Sequence, residues 1–197
     1  MYNLTPGTIL LAEKTREFKL SNFFPFAIRL ITGNKVTHVA IVESCDQLTI
    51  TYWDANSRIG VKRHSIPNVE SLNEGGLVLD NETVVCNVAN LPLEPFQVNT
   101  IIEVLKKVEG SKYNYFSIWT LMKEHFLRHF YTITRVKPDT FYGNRFTCSQ
   151  LVAYILIKAG MVFSHTFPFV DNPTMVEPDN YTERPFEVTP ISELKIS

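Results

Sequence analysis

Residues 36–55 read VTHVAIVESCDQLTITYWDA, and the architecture turns on how this stretch pairs. Two runs rich in β-branched and aromatic residues, Val36 to Ser44 and Leu48 to Ala55, flank Cys45-Asp46-Gln47. Two such runs around a three-residue loop predict an antiparallel hairpin. A turn centred on Asp46 sets His38 directly opposite Asp54. Both side chains then share one face, with Cβ atoms about 4.5–5.5 Å apart. Ala40 with Tyr52 and Val42 with Ile50 line that face below them. Glu43 is the rival carboxylate, but it lies an odd number of residues from His38, so a regular strand sends it to the other face. A one-residue slip of register would reverse the side on which Asp54 lies.

Working outward, Thr8 to Glu13 (TILLAE) follows a Pro-Gly turn and reads as a strand. Gly60 to Ile66 and Thr83 to Val88 are further strands, with a turn-rich loop over Pro67 to Gly76. Ser21 to Ile31 has the signals of a short helix ended by Gly33. A helix starts at Pro95 and reaches Glu109, with Val98, Ile101, Ile102, Leu105 and Val108 on one stripe. Tyr115 to Phe130 is an aromatic-rich second helix, and Cys148 to Ala159, stopped by Gly160, is a third. From Phe167 onward prolines alternate with charges. The segment 161–197 is therefore expected as a Pro-rich extension wrapped over a single domain of 1–197. Strands first and helices around them predict an α+β fold.

The chain has 197 residues, of which 45% are hydrophobic and 20% charged, which excludes disordered, collagen-like and coiled-coil classes. Lys plus Arg total 19 against 20 Asp plus Glu, and this balance argues against nucleic acid as the main partner. No apolar run approaches the ~18 residues of a membrane helix. The N-terminus lacks the pattern of a secretory signal, so a cytoplasmic location is expected. Three widely spaced cysteines, Cys45, Cys86 and Cys148, make neither a disulfide framework nor a zinc knuckle.

Two of these segments carry candidate chemistry. An imidazole titrates near neutral pH, so His38 is a candidate base, and a carboxylate beside it holds its tautomer. Leu151, Val152 and Ile155 follow Cys148 by three, four and seven residues and define one buried helical face. Cys148 then sits in the first turn, where unpaired N–H groups and the helix dipole favour a thiolate. The plainer alternative is a small buried hydrophobe, the usual fate of a free cysteine. Glu124-His125 and His129 place two imidazoles at i and i+4, but the order is EHxxxH and no third ligand is evident, so no metal is expected. His64 and His165 lie in polar contexts and receive no role.

Taken together, Phe26-Ala27-Ile28-Arg29-Leu30-Ile31-Thr32-Gly33, Thr37-His38-Val39-Ala40-Ile41-Val42, Trp53-Asp54-Ala55 and Cys148-Ser149-Gln150-Leu151-Val152 resemble a known family. It is that of the circularly permuted NlpC-type, papain-like cysteine hydrolases, the YiiX/YebB-like group. In that group the histidine strand precedes the cysteine helix, the order found here. The resemblance runs from about Pro6 to Gly160. It implies a small antiparallel sheet or barrel packed against helices, with a Cys–His–acid site at their junction. It further implies Cys148 as nucleophile and His38 as base, with Asp54 orienting the imidazole where the group more often has Glu. Gly110-Ser111-Lys112-Tyr113 resembles the family's Gly-x-x-Tyr segment and implies Tyr113 as an oxyanion or substrate contact.

The implied activity is a cofactor-free cysteine peptidase or amidase, a hydrolase working through a thioester. Its substrate would be a small peptide, a peptidoglycan fragment, or a lipid amide or ester. Two alternatives stay open. One is a lipid acyltransferase or thioesterase using the same site, with Phe23, Phe24 and Phe26 supplying a groove. The other is a non-catalytic binding protein that has kept the fold.

Overall fold

β-Branched runs and turn residues alternate through the first half of the chain, and the strands follow them. The computed structural model describes residues 1–14, 35–69, 77–80, 83–115, 145–161, 181–182 and 185–194. Its strands are β1 (Ile9–Lys14), β2 (His38–Cys45), β3 (Thr49–Asn56), β4 (Gly60–Pro67), β5 (Leu77–Asp80) and β6 (Thr83–Asn90). Helix α1 (Pro95–Val108) comes next, then two short strands, β7 (Lys112–Tyr113) and β8 (Arg145–Phe146). Helix α2 (Cys148–Lys158), strand β9 (Glu187–Pro190) and a 3-10 turn at Ile191–Leu194 complete the described elements. The expected helices at Ser21–Ile31 and beyond Tyr115, together with Phe23, Phe24, Phe26, Glu124, His125, His129 and His165, lie outside the described residues.

Six strands lie in the order β4-β3-β2-β1-β6-β5, and β9 joins the same edge of β6 as β5, making a seven-stranded antiparallel sheet. Among the described residues the sheet is open rather than closed into a barrel. With the helices on it, the class is α+β. No described helix is long and apolar enough to cross a membrane.

Both faces of the sheet are covered, which explains why β2 reads as a continuous apolar run rather than an alternating one. Ile9, Leu11, Val39, Ile41, Trp53 and Ala55 face α1 and α2, packing with Ile101, Leu105, Leu151, Val152 and Ile155. Leu10, Ala12, Ala40, Val42, Ile50 and Tyr52 face the other way, onto Leu77, Leu79, Val85, Val88 and Ile191. Each aliphatic side chain fully buried in either layer contributes about 1.5–3 kcal/mol. Of the stripe expected on α1, Ile101, Leu105 and Val108 are buried, while Val98 and Ile102 are half-buried.

The hairpin register departs from a turn centred on Asp46. Ile41 pairs with Trp53 and Val42 with Tyr52, and a bulge at Glu43 brings Ser44 opposite Thr51. Asp46 is the reason. Its Oδ1 accepts the N–H of Leu48 at 2.8 Å and of Thr49 at 2.7 Å, closing a turn over Gln47-Leu48 instead. Paired positions shift by two next to the bulge, so Asp54 keeps its face but is a diagonal rather than direct neighbour of His38.

The C-terminal segment does more than wrap the surface. β9 pairs residues 87–90 of β6, and Tyr181, Phe186 and Ile191 are buried in the two apolar layers. β5, β7, β8 and β9 are elements the sequence reading did not anticipate.

Gly60 opens β4 at φ +76°, and a Cβ there would collide with the Ser111 carbonyl oxygen. That carbonyl accepts the Val61 N–H at 2.8 Å, which ties the segment before β7 to the sheet. Gly160 has a similar φ of +77°, but open space surrounds its Cβ position. Gly60→Ala is therefore expected to cost about 2–4 kcal/mol and Gly160→Ala about 1 kcal/mol in urea unfolding. Equal losses would contradict this account of the β4–β7 junction.

Candidate active site

The site is assembled where one strand and one helix begin. His38 is the first residue of β2, and Cys148 is the first of α2. The parallel pairing of β7 with β8 leads the chain into Thr147, which caps the helix. Thr147 Oγ1 accepts the Gln150 N–H at 3.3 Å, and Gln150 Oε1 accepts the Thr147 N–H at 3.1 Å. This reciprocal cap satisfies two backbone donors and fixes the first turn. Gln150 Oε1 also accepts from Asn114 Nδ2 at 3.3 Å, joining the cap to the residue after β7.

The face expected from the spacing is realised, with Leu151, Val152 and Ile155 buried against the sheet. Cys148 is itself 5% exposed. As the first helical residue it carries one of the N–H groups that no helical carbonyl can take.

His38 Nε2 lies 2.8 Å from Asp54 Oδ2. A carboxylate only accepts, so Nε2 carries the hydrogen, and Nδ1 is the ring nitrogen left for the sulfur. The carboxylate's other oxygen, Oδ1, is 3.0 Å from His64 Nε2. The Asp54 side chain is 7% exposed, against 18% for His38 and 26% for His64.

Charges in this cluster reinforce one another. Burial is the largest single influence on His38 and opposes its imidazolium, and the charge of Cys148 is the largest of several that favour it. Hydrogen bonds to Asp54 and Cys148 and the charge of Asp54 add to the rise, and the pKa reaches about 10. Burial likewise opposes the Asp54 carboxylate, yet hydrogen bonds from His38 and His64, followed by their charges, lower its pKa to about 2. His38 is thus held protonated, and Asp54 ionised, across the neutral range.

Tyr113 is half-buried, with its ring set edge-on to Tyr115 at 5.1 Å between centroids. Burial first, then the charges of Cys148, Tyr115 and Asp54, raise its pKa well above the ordinary phenol value, so its hydroxyl keeps a proton to donate. The Tyr115 hydroxyl bonds the Ser57 carbonyl and anchors this segment to the β3–β4 turn. Glu43 belongs elsewhere. Its carboxylate accepts from Trp53 Nε1 at 2.6 Å and from Arg63 Nε at 2.6 Å.

His64, given no role from sequence, turns out to be the second partner of Asp54. The β3–β4 ladder sets it opposite Tyr52, one alternation from Asp54. The turn at residues 57–59 is the sequence signal for that pairing. Tyr181 was missed as well. It donates to the Ser149 carbonyl at 2.6 Å, and no short-range signal links position 181 to α2. Among the described residues, no set of three His, Cys, Asp or Glu side chains is arranged to hold a metal ion.

No protein-family model matches this chain, and no curated protein matches it either.

The electrostatics set a titration that NMR of the ring nitrogens reads directly. His38 is expected to stay protonated well above the 6.5 of an unperturbed imidazole. Cys148→Ala removes the largest influence that raises it, so the midpoint should fall by about one unit or more. An unchanged midpoint would show that the thiol and the ring do not interact.

Proposed function

We propose that the protein is a cysteine hydrolase of amidase or peptidase type, built on a permuted papain-like plan. The observation that carries this reading is the His38 ring, held by Asp54 on one nitrogen and acted on by Cys148. His38 already holds the thiol's proton as an imidazolium, and the paired Cys148 thiolate attacks an amide or ester carbonyl. The oxyanion is received by the Cys148 backbone N–H and the Tyr113 hydroxyl. His38 returns the proton to the leaving group as the tetrahedral intermediate collapses to a thioester on Cys148. Water, deprotonated by His38, then hydrolyses that thioester and frees the thiol.

Asp54 orients the imidazole and stabilises its cation without becoming protonated itself. Substrates compatible with this chemistry are a small peptide, a peptidoglycan fragment, or a lipid amide or ester. A cytoplasmic setting, where thiols stay reduced, suits a nucleophilic cysteine.

The test uses an activated ester, p-nitrophenyl butyrate, as a generic carbonyl probe. Rapid mixing is expected to release a burst of nitrophenol and leave a butyryl group on Cys148, identified by mass spectrometry. Cys148→Ala should abolish both, and His38→Ala should slow acylation by about 10²–10⁴-fold. Full activity in Cys148→Ala would refute the proposal. Faster discharge of the butyryl enzyme by an added primary amine than by water would instead identify an acyltransferase.

A further inference from the structure

We propose that His64 is a positioning residue for this site, donating from Nε2 to Asp54 so that the carboxylate meets the His38 ring in one orientation. The inference rests on the Cys148–His38 reading above and extends it to a residue that touches neither the sulfur nor the base.

The geometry is specific. Each oxygen of Asp54 serves a different imidazole, Oδ2 at 2.8 Å from His38 and Oδ1 at 3.0 Å from His64. A carboxylate with a single partner would be free to rotate or to swap oxygens. With both oxygens engaged, its plane is fixed. His64 is itself held by stacking on Tyr52, with ring centroids 5.1 Å apart and planes 14° from parallel. Tyr52 is in turn buried and anchored through its hydroxyl to the Leu79 carbonyl at 3.0 Å. A chain of rigid contacts therefore runs from the second apolar layer through Tyr52, His64 and Asp54 to His38.

Asp54 also faces other ionisable groups. Lys62 is its partner across the β3–β4 ladder and is exposed, and the Tyr113 hydroxyl and Cys148 belong to the same electrostatic cluster. Of these groups only the two imidazoles hydrogen-bond the carboxylate, and those bonds are what keep it ionised. Losing the His64 donor should therefore let Asp54 take up a proton at a higher pH. The His38 imidazolium would then lose its support earlier as pH falls.

Two variants separate donation from stacking. His64→Phe keeps a ring on Tyr52 but cannot donate, whereas His64→Gln keeps an N–H donor without the ring. The readout is the ¹³C shift of the Asp54 carboxyl from about pH 1.5 to 6, with circular dichroism to confirm folding and iodoacetamide alkylation of the cysteines at pH 6 measured alongside. The Asp54 midpoint is expected to move up by about 0.5–1 pH unit in His64→Phe and to stay within about 0.3 unit of the parent in His64→Gln. The reverse pattern, or no shift in a folded His64→Phe, overturns the positioning role while leaving the Cys148–His38 reading intact. A parent whose Cys148 reacts no faster than Cys45 or Cys86 overturns both.

One measurement needs no variant. Long-range ¹⁵N correlation on the unaltered protein should find the His64 proton on Nε2 at neutral pH. A neutral ring protonated on Nδ1 alone would rule out donation to Asp54, whatever the variants do.

Discussion

A nearly buried carboxylate at Asp54 sets the terms for everything around it. An ion with so little exposure persists only when hydrogen bonds replace the water it has lost. Two imidazoles supply them, one from each neighbouring strand of β3. The consequence reaches beyond Asp54, because a carboxylate held ionised favours the cation on His38, and that ring faces the thiol at the start of α2. Deleting the carboxylate would leave two imidazoles without an anchor. Deleting one imidazole would leave the carboxylate half-solvated by protein.

The scaffold explains why these groups meet. β2 and β3 are packed on both faces, so neither can slide without exposing an apolar layer. Helix α2 lies on that pair, and its first turn is locked by the Thr147–Gln150 cap, with Asn114 bracing it from the β7 side. Tyr181 adds a bond from the distant C-terminal segment to the Ser149 carbonyl. The position of Cys148 is therefore over-determined.

Elements with strong periodicity were readable from sequence. β2, β3, β4, α1 and α2 each begin and end within about two residues of where apolar runs and Gly or Pro punctuation put them. Register was harder, because Val39 to Val42 is apolar on both sides and offers no polar face to fix the pairing. What decided it was a local hydrogen bond, the Asp46 carboxylate closing its own turn. His38 and Asp54 meet all the same, because a shift of two residues preserves the face. β5, β7, β8 and β9 are two to four residues long, and pairing rather than propensity makes them strands. His64 received no role because its polar strand context, beside Lys62 and Arg63, suggests a solvated edge. Tyr181 lies in a Pro-rich segment whose sequence gives no hint of a buried partner.

The central claim is that one thiol of three sits against a cationic imidazole, and selective alkylation tests it most directly. The protein would be treated with a limiting amount of iodoacetamide at pH 6 and the modified peptide identified by mass spectrometry. Cys148 should carry the label at least about tenfold ahead of Cys45 and Cys86, despite being the most buried of the three. Labelling that follows exposure instead, with Cys148 last, would contradict the account.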